Sequence, residues 1–193
     1  MADHNYRTIR RAESLAALAN PFRSRLLDAL RVDGPSTATA LAQRTGQAVG
    51  SASHHLRVLA ETGFIEEAPD LARDRRERWW RLSNSGFRWN RADLDGSAVE
   101  VARQAEALQA ERQADRVREW LANSETAGEW NGTAFASQDW LRLTPQELDQ
   151  LGAELLQVLT SWHERVADEQ SERLADPNAE PVLVFMRGFP SQP

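Results

Sequence analysis

The side chains best suited to chemistry in this sequence are polar groups carried by a segment with helical spacing, residues 49–62. Ala52, Leu56 and Leu59 recur on one side of that segment, so His54 and Arg57 face the other side. Such side chains hydrogen-bond to phosphates and to base edges. The residues that we expect to contact DNA in or just before this segment are Gln47, Gly50, Ser51, Ser53, His54, His55 and Arg57. An arginine-rich stretch farther along the chain adds Arg73, Arg75, Arg76 and Arg78.

Other chemistries lack their residues or their spacing. The sequence contains no cysteine, which excludes disulfides and thiolate sites. His54 and His55 are neighbours on a helix, so their side chains diverge and do not share one metal ion. No glycine-rich phosphate loop, nucleophile motif or clustered carboxylates at catalytic spacing occur. We therefore expect no catalytic residues, no metal site and no cofactor.

Charge is unevenly distributed along the 193 residues. Residues 1–89 hold 14 Arg against 10 Asp plus Glu, a balance of +4, whereas residues 90–193 hold 9 Arg against 19 acidic residues, a balance of −10; together they give the net charge of −6. The basic half is the candidate for a polyanionic partner, and the acidic half is expected to face away from DNA.

The first half of the sequence predicts four helices followed by a β-hairpin. Asn20 caps a helix with Pro21 in its first turn and Phe22, Leu26, Leu27 and Leu30 inward, and Gly63 ends the fourth helix. A polar loop, residues 69–76, joins the two strands and carries three arginines. The expected elements are helices at 6–19, from 21 to about 33, after a Ser36 cap to Gly46, and at 49–62, then strands at 64–68 and 78–82.

The second half predicts two longer helices and two short strands. A connection at 83–96 leads to a helix at 94–121 with two apolar stripes, Leu94–Ala98–Val101–Ala105–Leu108 and Ala107–Ala110–Ala114–Val117–Leu121. Thr144 to Glu147 forms a capping box that opens a helix to about Leu174. After a loop at 123–133 we expect a strand at 135–143, and a buried strand at 181–186. The fold class is mainly α with small β, with a DNA-binding domain at 1–90 and an acidic dimerisation, effector or partner region at 91–193. This second region is expected to consist of a long dimerisation helix followed by a small α+β region.

Two stretches of the sequence make the predicted fold and function more specific. Residues 18–27, LANPFRSRLL, and residues 50–65, GSASHHLRVLAETGFI, resemble the signature stretches of the ArsR family of winged helix-turn-helix regulators. The resemblance covers about residues 8–88. It implies a homodimer formed through the first helix and the helix after the wing, with two recognition helices on a palindromic double-stranded operator. It also implies repression that an effector relieves.

The sequence departs from the metal-sensing members of that family. Thr39 to Ala42 occupies the place of their thiolates, and no histidine lies between Ser97 and Leu121, so a metal sensor is not expected. Trp120, Trp140 and Trp162 could line a pocket for a planar apolar effector, but core or dimer-interface anchors are the preferred interpretation. With no apolar run long enough to span a bilayer and no signal peptide, we expect a cytoplasmic protein.

An alternative hypothesis from another class remains. Because the whole chain is acidic, the winged helix could serve as a docking scaffold in a protein-interaction adaptor. Retention of genomic DNA by the purified protein favours the regulator, and capture of a partner protein without DNA favours the adaptor.

Overall fold

The computed structural model describes residues 6–74, 77–84, 86–89, 94, 96–167 and 169–192. The wing residues Arg75 and Arg76 therefore lie outside the described residues. The chain divides into two compact units, Met1–Glu119 (unit 1) and Trp120–Pro193 (unit 2). The domain boundary expected near residue 90 stays a prediction.

Unit 1 has the element order of a winged helix. The mainly α fold class with a small sheet, a helix-turn-helix and a long following helix is confirmed. The elements are β1 Tyr6–Thr8, α1 Ala12–Leu18, α2 Pro21–Asp33, β2 Ser36–Thr37, α3 Ala38–Thr45, α4 Val49–Glu61, β3 Ile65–Glu67, a 3-10 turn at Pro69–Leu71, β4 Trp79–Leu82, β5 Gly86–Arg88 and α5 Gly96–Asn123, which runs on into unit 2.

Local signals set several helix ends. The side chain of Asn20 accepts hydrogen bonds from the backbone N–H groups of Phe22 and Arg23, at 3.0 and 3.1 Å, and Pro21 is the first residue of α2. Gly46, at φ 66°, ends α3, and Gly63, at φ 73°, follows α4. The four predicted helix-end residues are therefore confirmed. Caps stabilise helix ends because they satisfy backbone groups that the helix itself leaves without partners.

The core of unit 1 joins the three helices α2, α3 and α4 to the sheet. The predicted inward residues of α2 and α4 are buried, with the exception of Phe22. Burying each large aliphatic side chain stabilises the fold by about 1.5–3 kcal/mol. The fully buried large side chains are Ile9, Leu15, Leu26, Leu27, Leu41, Leu56, Leu59, Phe64 and Ile65.

The wing is an antiparallel hairpin of β3 and β4. Ile65 pairs with Leu82 and Glu67 with Trp80, and β2 extends the sheet on the other edge of β4, with Ser36 opposite Trp80. Trp80 is buried and Trp79 half-buried, as alternation along a strand predicts. A separate pair joins β1 to β5 in parallel, with Arg7 opposite Phe87.

Four expectations for unit 1 were wrong in detail. Residues 6–8 form β1 instead of the start of a helix, because β5 pairs with them. The strand β5 itself lies in the stretch at 83–96, for which only a connection between the two halves was expected. The cap of α3 is Thr37, whose hydroxyl accepts from Ala40 N at 3.3 Å, because Ser36 is held in β2. Phe22 is 41% exposed, since it lies over α4 instead of in the core.

The two apolar stripes predicted for α5 differ in how far they are buried. Ala98 and Ala102 are buried in the core of unit 1, and Ala105 is also buried. The Trp89 indole N–H donates to Glu106 at 2.9 Å, and Arg112 pairs with Asp28 of α2, so this face of α5 belongs to unit 1. The second predicted stripe is more exposed. Its members are Ala107, Ala110, Ala114, Val117 and Leu121.

Unit 2 is helical but has no buried residue among those the structure describes. Its longest helix starts with the predicted capping box: Thr144 N donates to the Glu147 carboxylate at 2.7 Å, and Glu147 N donates to the Thr144 hydroxyl at 3.3 Å. After the end of α5 come a 3-10 turn at Ser124–Thr126, α6 Trp130–Thr133, α7 Pro145–Ala167 and α8 Gln170–Ala175.

Four expectations for unit 2 were wrong. The stretches 135–143 and 181–186 form no strand, because no other described segment pairs with them. The expected loop at 123–133 contains α6 and a 3-10 turn, and α7 ends at Ala167 instead of near Leu174. A β-rich composition alone does not make a strand, since strands need a neighbour for their backbone groups.

Candidate nucleic-acid interface

The centre of the candidate site is α4, which α3 and a short turn hold in place. Gly46 adopts the left-handed conformation, and the next residue, Gln47, donates its backbone N–H to Ala42 O at 2.8 Å. Glycine suits this position because other residues adopt positive φ at a cost. Ala52 and Leu56 then bury the inner side of α4. The opposite side is consequently presented to solvent.

The far end of α4 is held by a side chain from β1. The Arg7 guanidinium donates to the carbonyls of Thr62 and Gly63, at 2.7 and 2.6 Å, and lies over the Phe64 ring. A cation at the C-terminus of a helix interacts favourably with the free carbonyls there. A Cβ at residue 63 would collide with this guanidinium. Arg7 therefore fixes the direction of α4 relative to the wing.

The outer face of α4 offers polar groups and no acid. Gly50, Ser51, His54 and Arg57 are all exposed, and a Cβ at Gly50 would meet nothing within 4 Å. No acidic residue occurs in the helix before Glu61. Ala48 precedes the helix and has no side-chain acceptor, so the first-turn N–H groups carry no side-chain cap. Backbone N–H groups of this kind bind phosphate.

His55 occupies a different environment from His54. It is half-buried, its ring stacks on Phe22 at 5.8 Å between centroids and 8° between planes, and its Nδ1 is buried. Burial, reinforced by the charges of Arg23 and His54, lowers the pKa of His55 below its ordinary value. The structure thus places His55 at the packing surface between α2 and α4 rather than on the outer face.

Gln47 and Ser53 also lie partly inward. The Gln47 amide donates to the Thr45 hydroxyl at 3.1 Å, and its carbonyl oxygen is buried. Ser53 is half-buried. Gly50, Ser51, His54 and Arg57 therefore form the exposed group of α4, which we call the outer face.

The tip of the wing is organised by its own acidic residues. The Glu77 carboxylate accepts from Arg73 N at 2.9 Å, and Glu77 N donates to Asp74 at 3.1 Å. The hydrogen bond from Arg73 N lowers the pKa of Glu77. Arg73 itself is exposed. The Arg73 side chain is therefore available on the surface of the wing.

Arginines farther down the hairpin are engaged with acids. Arg81 donates to Glu66 at 2.8 Å and to Asp70 at 3.1 Å, and the hydrogen bond to Glu66 raises its pKa. Arg78 pairs with Glu67 at 3.5 Å while keeping most of its side chain exposed. Exposed ion pairs of this kind contribute ~0–1 kcal/mol, so Arg78 can exchange its partner for a phosphate at little cost.

A comparison with protein families bears on the same elements. Residues 18–68 match the model of a family described as helix-turn-helix domain. This segment is a helix-turn-helix domain. The match begins in α1, includes all of α2, α3 and α4, and ends just after β3. The helix-turn-helix predicted from the sequence is therefore confirmed.

Several solved structures are similar to the chain. The homodimeric winged helix-turn-helix DNA-binding domain of a possible ArsR-family transcriptional regulator from Mycobacterium bovis is 25% identical; the match covers 53% of this chain and 77% of that chain, with a TM-score of 0.34. The transcriptional repressor BigR from Xylella fastidiosa is 24% identical; the match covers 51% of this chain and 82% of that chain, with a TM-score of 0.34. A possible transcriptional regulator for arsenical resistance is 27% identical; the match covers 57% of this chain and 95% of that chain, with a TM-score of 0.32. No curated protein matches the chain.

Two arginines that support the helix-turn-helix domain escaped the sequence analysis. Arg7 was counted only as part of the first helix, although its bonds to residues 62 and 63 orient α4. Arg23 donates to the carbonyls of Ala16 and Ala17, at 2.8 and 2.7 Å, which joins α1 to α2. No spacing rule reveals either bond, because each connects residues that only the fold brings together.

The described residues contain no group of three His, Asp or Glu side chains positioned to hold a metal ion. No helix in the described ranges is both long and apolar enough to cross a bilayer. In unit 2, Trp120, Trp140 and Trp162 are 36%, 60% and 53% exposed, so they are not core anchors in the single chain. Their roles as ligand or interface residues stay predictions.

Proposed function

We propose that this protein is a DNA-binding transcription regulator that acts as a homodimer and inserts α4 into the major groove. The observation that carries the proposal is the outer face of α4, an acid-free surface on the second helix of a helix-turn-helix domain. Small residues at Gly50 and Ser51 let the helix backbone approach the groove, and His54 and Arg57 reach base edges or phosphates.

The wing supplies a second contact in this proposal. Arg73 and Arg78 are exposed on the hairpin that follows α4, and Arg75 and Arg76 belong to the same loop of the sequence. Arginines at this position neutralise backbone phosphates beside the groove, which adds affinity that falls as salt rises. Gln47, Ser53 and His55 lie partly inward and support the helix in this scheme.

The dimer explains how a short helix recognises a specific operator. The ArsR resemblance implies pairing through the first helix and the helix after the wing, and the stripe of α5 from Ala107 to Leu121 is the face not used by the core of unit 1. Two symmetric copies then place two α4 helices on half-sites of a palindrome, about 34–36 Å apart. We further propose repression in the cytoplasm, with relief by a small-molecule effector.

The test is selection of genomic fragments by the purified full chain, followed by titration of the site it returns. We expect nanomolar binding to a palindrome, with a strong dependence on salt. Arg57→Ala is expected to weaken binding about 10- to 100-fold. Arg142→Ala, at an exposed arginine of unit 2, is the matched control and is expected to bind like the natural chain.

The adaptor hypothesis predicts the opposite result. The acidic unit 2, with its exposed apolar side chains, is the observation that favours it. Absence of fragment enrichment, together with equal behaviour of the two arginine variants, would reject the regulator. Recovery of a palindrome whose binding depends on Arg57 would reject the adaptor.

A further inference from the structure

The ring of Phe22 lies on the surface of unit 1 and not in its core. Leu26, Leu27 and Leu30 of the same helix are buried, whereas Phe22 is 41% exposed. Its ring stacks instead on that of His55, which belongs to α4. An aromatic ring that stays partly in water gives up much of the stabilisation that full burial provides. The position of Phe22 is therefore better explained by what the ring contacts on the surface.

Arg25 lies over this exposed ring. The central carbon of its guanidinium is 4.8 Å from the centre of the Phe22 ring, and Arg25 is exposed. The face of an aromatic ring attracts such a cation, and the planar guanidinium keeps its N–H donors along its edge. A side chain that is held in place before binding loses less conformational entropy when a ligand arrives. The ring thus prepares Arg25 to bind an anion.

The other arginines of α2 are committed to contacts within unit 1. Arg23 is half-buried and donates to two backbone carbonyls of α1. The acid closest to Arg25 by helical spacing is Asp28, three residues farther on, and it pairs with Arg31 at 3.2 Å and with Arg112. The contact of Arg25 is instead with an uncharged ring. Its positive charge therefore remains available to a partner outside the chain.

A series of ring contacts leads from the outer face of α4 to Arg25. The ring of His54, on the outer face, is 5.4 Å from that of His55. The ring of His55 is 5.8 Å from that of Phe22, which in turn lies beneath Arg25. His54, Phe22 and Arg25 are all exposed. Arg25 is consequently displaced sideways from the outer face of α4 by three short contacts.

The dimensions of DNA give this displacement a meaning. The major groove of B-form DNA is about 12 Å wide, and a phosphate backbone runs along each of its edges. When α4 lies in the groove, its outer face points toward the bases. A cation displaced sideways from that face by a distance of this order meets the backbone instead. Arginine suits such a place because its guanidinium binds phosphate through two parallel hydrogen bonds.

We propose that Arg25 binds a backbone phosphate at the edge of the groove that α4 occupies, and that Phe22 positions it. The first turns of α2 then extend the DNA interface beyond the outer face and the wing. The inference rests on the proposed function for the placement of α4 in the groove. Because a phosphate contact carries no sequence information, Arg25 is expected to contribute equally to every DNA sequence.

The test is titration of the full chain against a labelled random-sequence duplex of about 30 base pairs over a range of salt concentrations. Arg25→Ala is expected to weaken binding at least threefold. The slope of log affinity against log salt should become less steep by about one for each bound protomer, because one phosphate contact is lost. Arg25→Lys keeps the charge and is expected to retain most of the slope.

Arg31→Ala is the matched control. Arg31 is also an arginine of α2 with its guanidinium over a phenylalanine ring, 5.6 Å from the centre of Phe87, but that ring belongs to β5. Its removal is expected to leave the salt slope unchanged. Phe22→Leu keeps Arg25 and removes the ring, so we expect weaker binding with most of the slope retained. Thermal unfolding followed by circular dichroism checks that each variant is folded.

The outcomes separate this inference from the proposed function. Equal slopes for the natural chain, Arg25→Ala and Arg31→Ala would overturn the inference, while a loss of binding in Arg57→Ala would still support the regulator. Unchanged affinity of Phe22→Leu would overturn the positioning role of Phe22. A chain that binds the duplex through Arg25 but enriches no genomic fragment would keep the inference and lose the proposed function. No binding of the duplex by the natural chain would overturn both.

Discussion

Units 1 and 2 contain similar apolar residues, but those of unit 1 are buried and those of unit 2 are exposed. In unit 1, Leu26, Leu56 and Phe64 are fully buried, and caps and arginine contacts hold the helices around them. In unit 2, Phe135 and Trp162 are exposed in spite of a well-formed long helix. The difference shows that helical periodicity describes which residues share a face. Whether that face becomes a core depends on what else the chain places against it.

The largest expected effect breaks the core of unit 1. Leu56→Ala removes a fully buried side chain of α4 and is expected to lower the free energy of unfolding by about 2–5 kcal/mol, because a cavity remains. Urea unfolding followed by far-ultraviolet circular dichroism measures it. The loss is expected to be independent of protein concentration.

The matched change in unit 2 is Phe135→Ala, since Phe135 is 84% exposed. It is expected to change the free energy of unfolding by less than about 0.5 kcal/mol, as is usual for surface positions. A loss as large as that of Leu56→Ala would contradict the contrast between the two units.

A smaller loss of stability is expected when the cap of α2 or the capping box of α7 is removed. Asn20→Ala removes both hydrogen bonds to the first turn of α2 and is expected to lower the free energy of unfolding of unit 1 by about 1 kcal/mol. Thr144→Ala removes the capping box of α7, with a similar local effect there.

Hydrogen exchange by segment distinguishes the two caps. We expect Asn20→Ala to speed exchange throughout the helices of unit 1, because they share one core. Thr144→Ala is expected to speed exchange in the first turns of α7 and to leave α2 unchanged. Faster exchange of α2 in Thr144→Ala would show that the units do not unfold separately.

The smallest expected effect concerns pH. The pKa of His55 is lowered in the folded protein by burial and by the charges of Arg23 and His54, so the unfolded chain binds the proton more readily. The contribution of His55 to stability is therefore complete above its unfolded pKa of about 6.5 and is lost as the pH falls below it. Because the ring is only half-buried, the change is expected to be small.

His55→Gln removes the titrating group and tests this expectation. Urea unfolding at pH 5.5 and pH 7.5 should show a smaller loss of stability at the lower pH for the variant than for the natural chain. An equal loss in both proteins would assign the pH dependence to other groups.

Short-range signals in the sequence were sufficient for much of the helix-turn-helix domain. The stripe of Ala52, Leu56 and Leu59, the Asn20 cap and Gly63 each depend on residues within a few positions, so spacing alone predicts them. The DNA-contact assignments of the outer face followed from the same stripe by exclusion. His55 could not be separated from His54 in this way, since only the position of Phe22 shows that its ring is stacked.

Composition, charge asymmetry and helix punctuation were determined by the sequence by itself, because they depend on residue type and on neighbours along the chain. Only the tertiary structure decided that residues 6–8 form a strand, that Arg7 holds the end of α4, and that the stretches at 135–143 and 181–186 remain without strand partners. The physical reason is that backbone pairing and burial need a second segment, whose position is not encoded in local spacing.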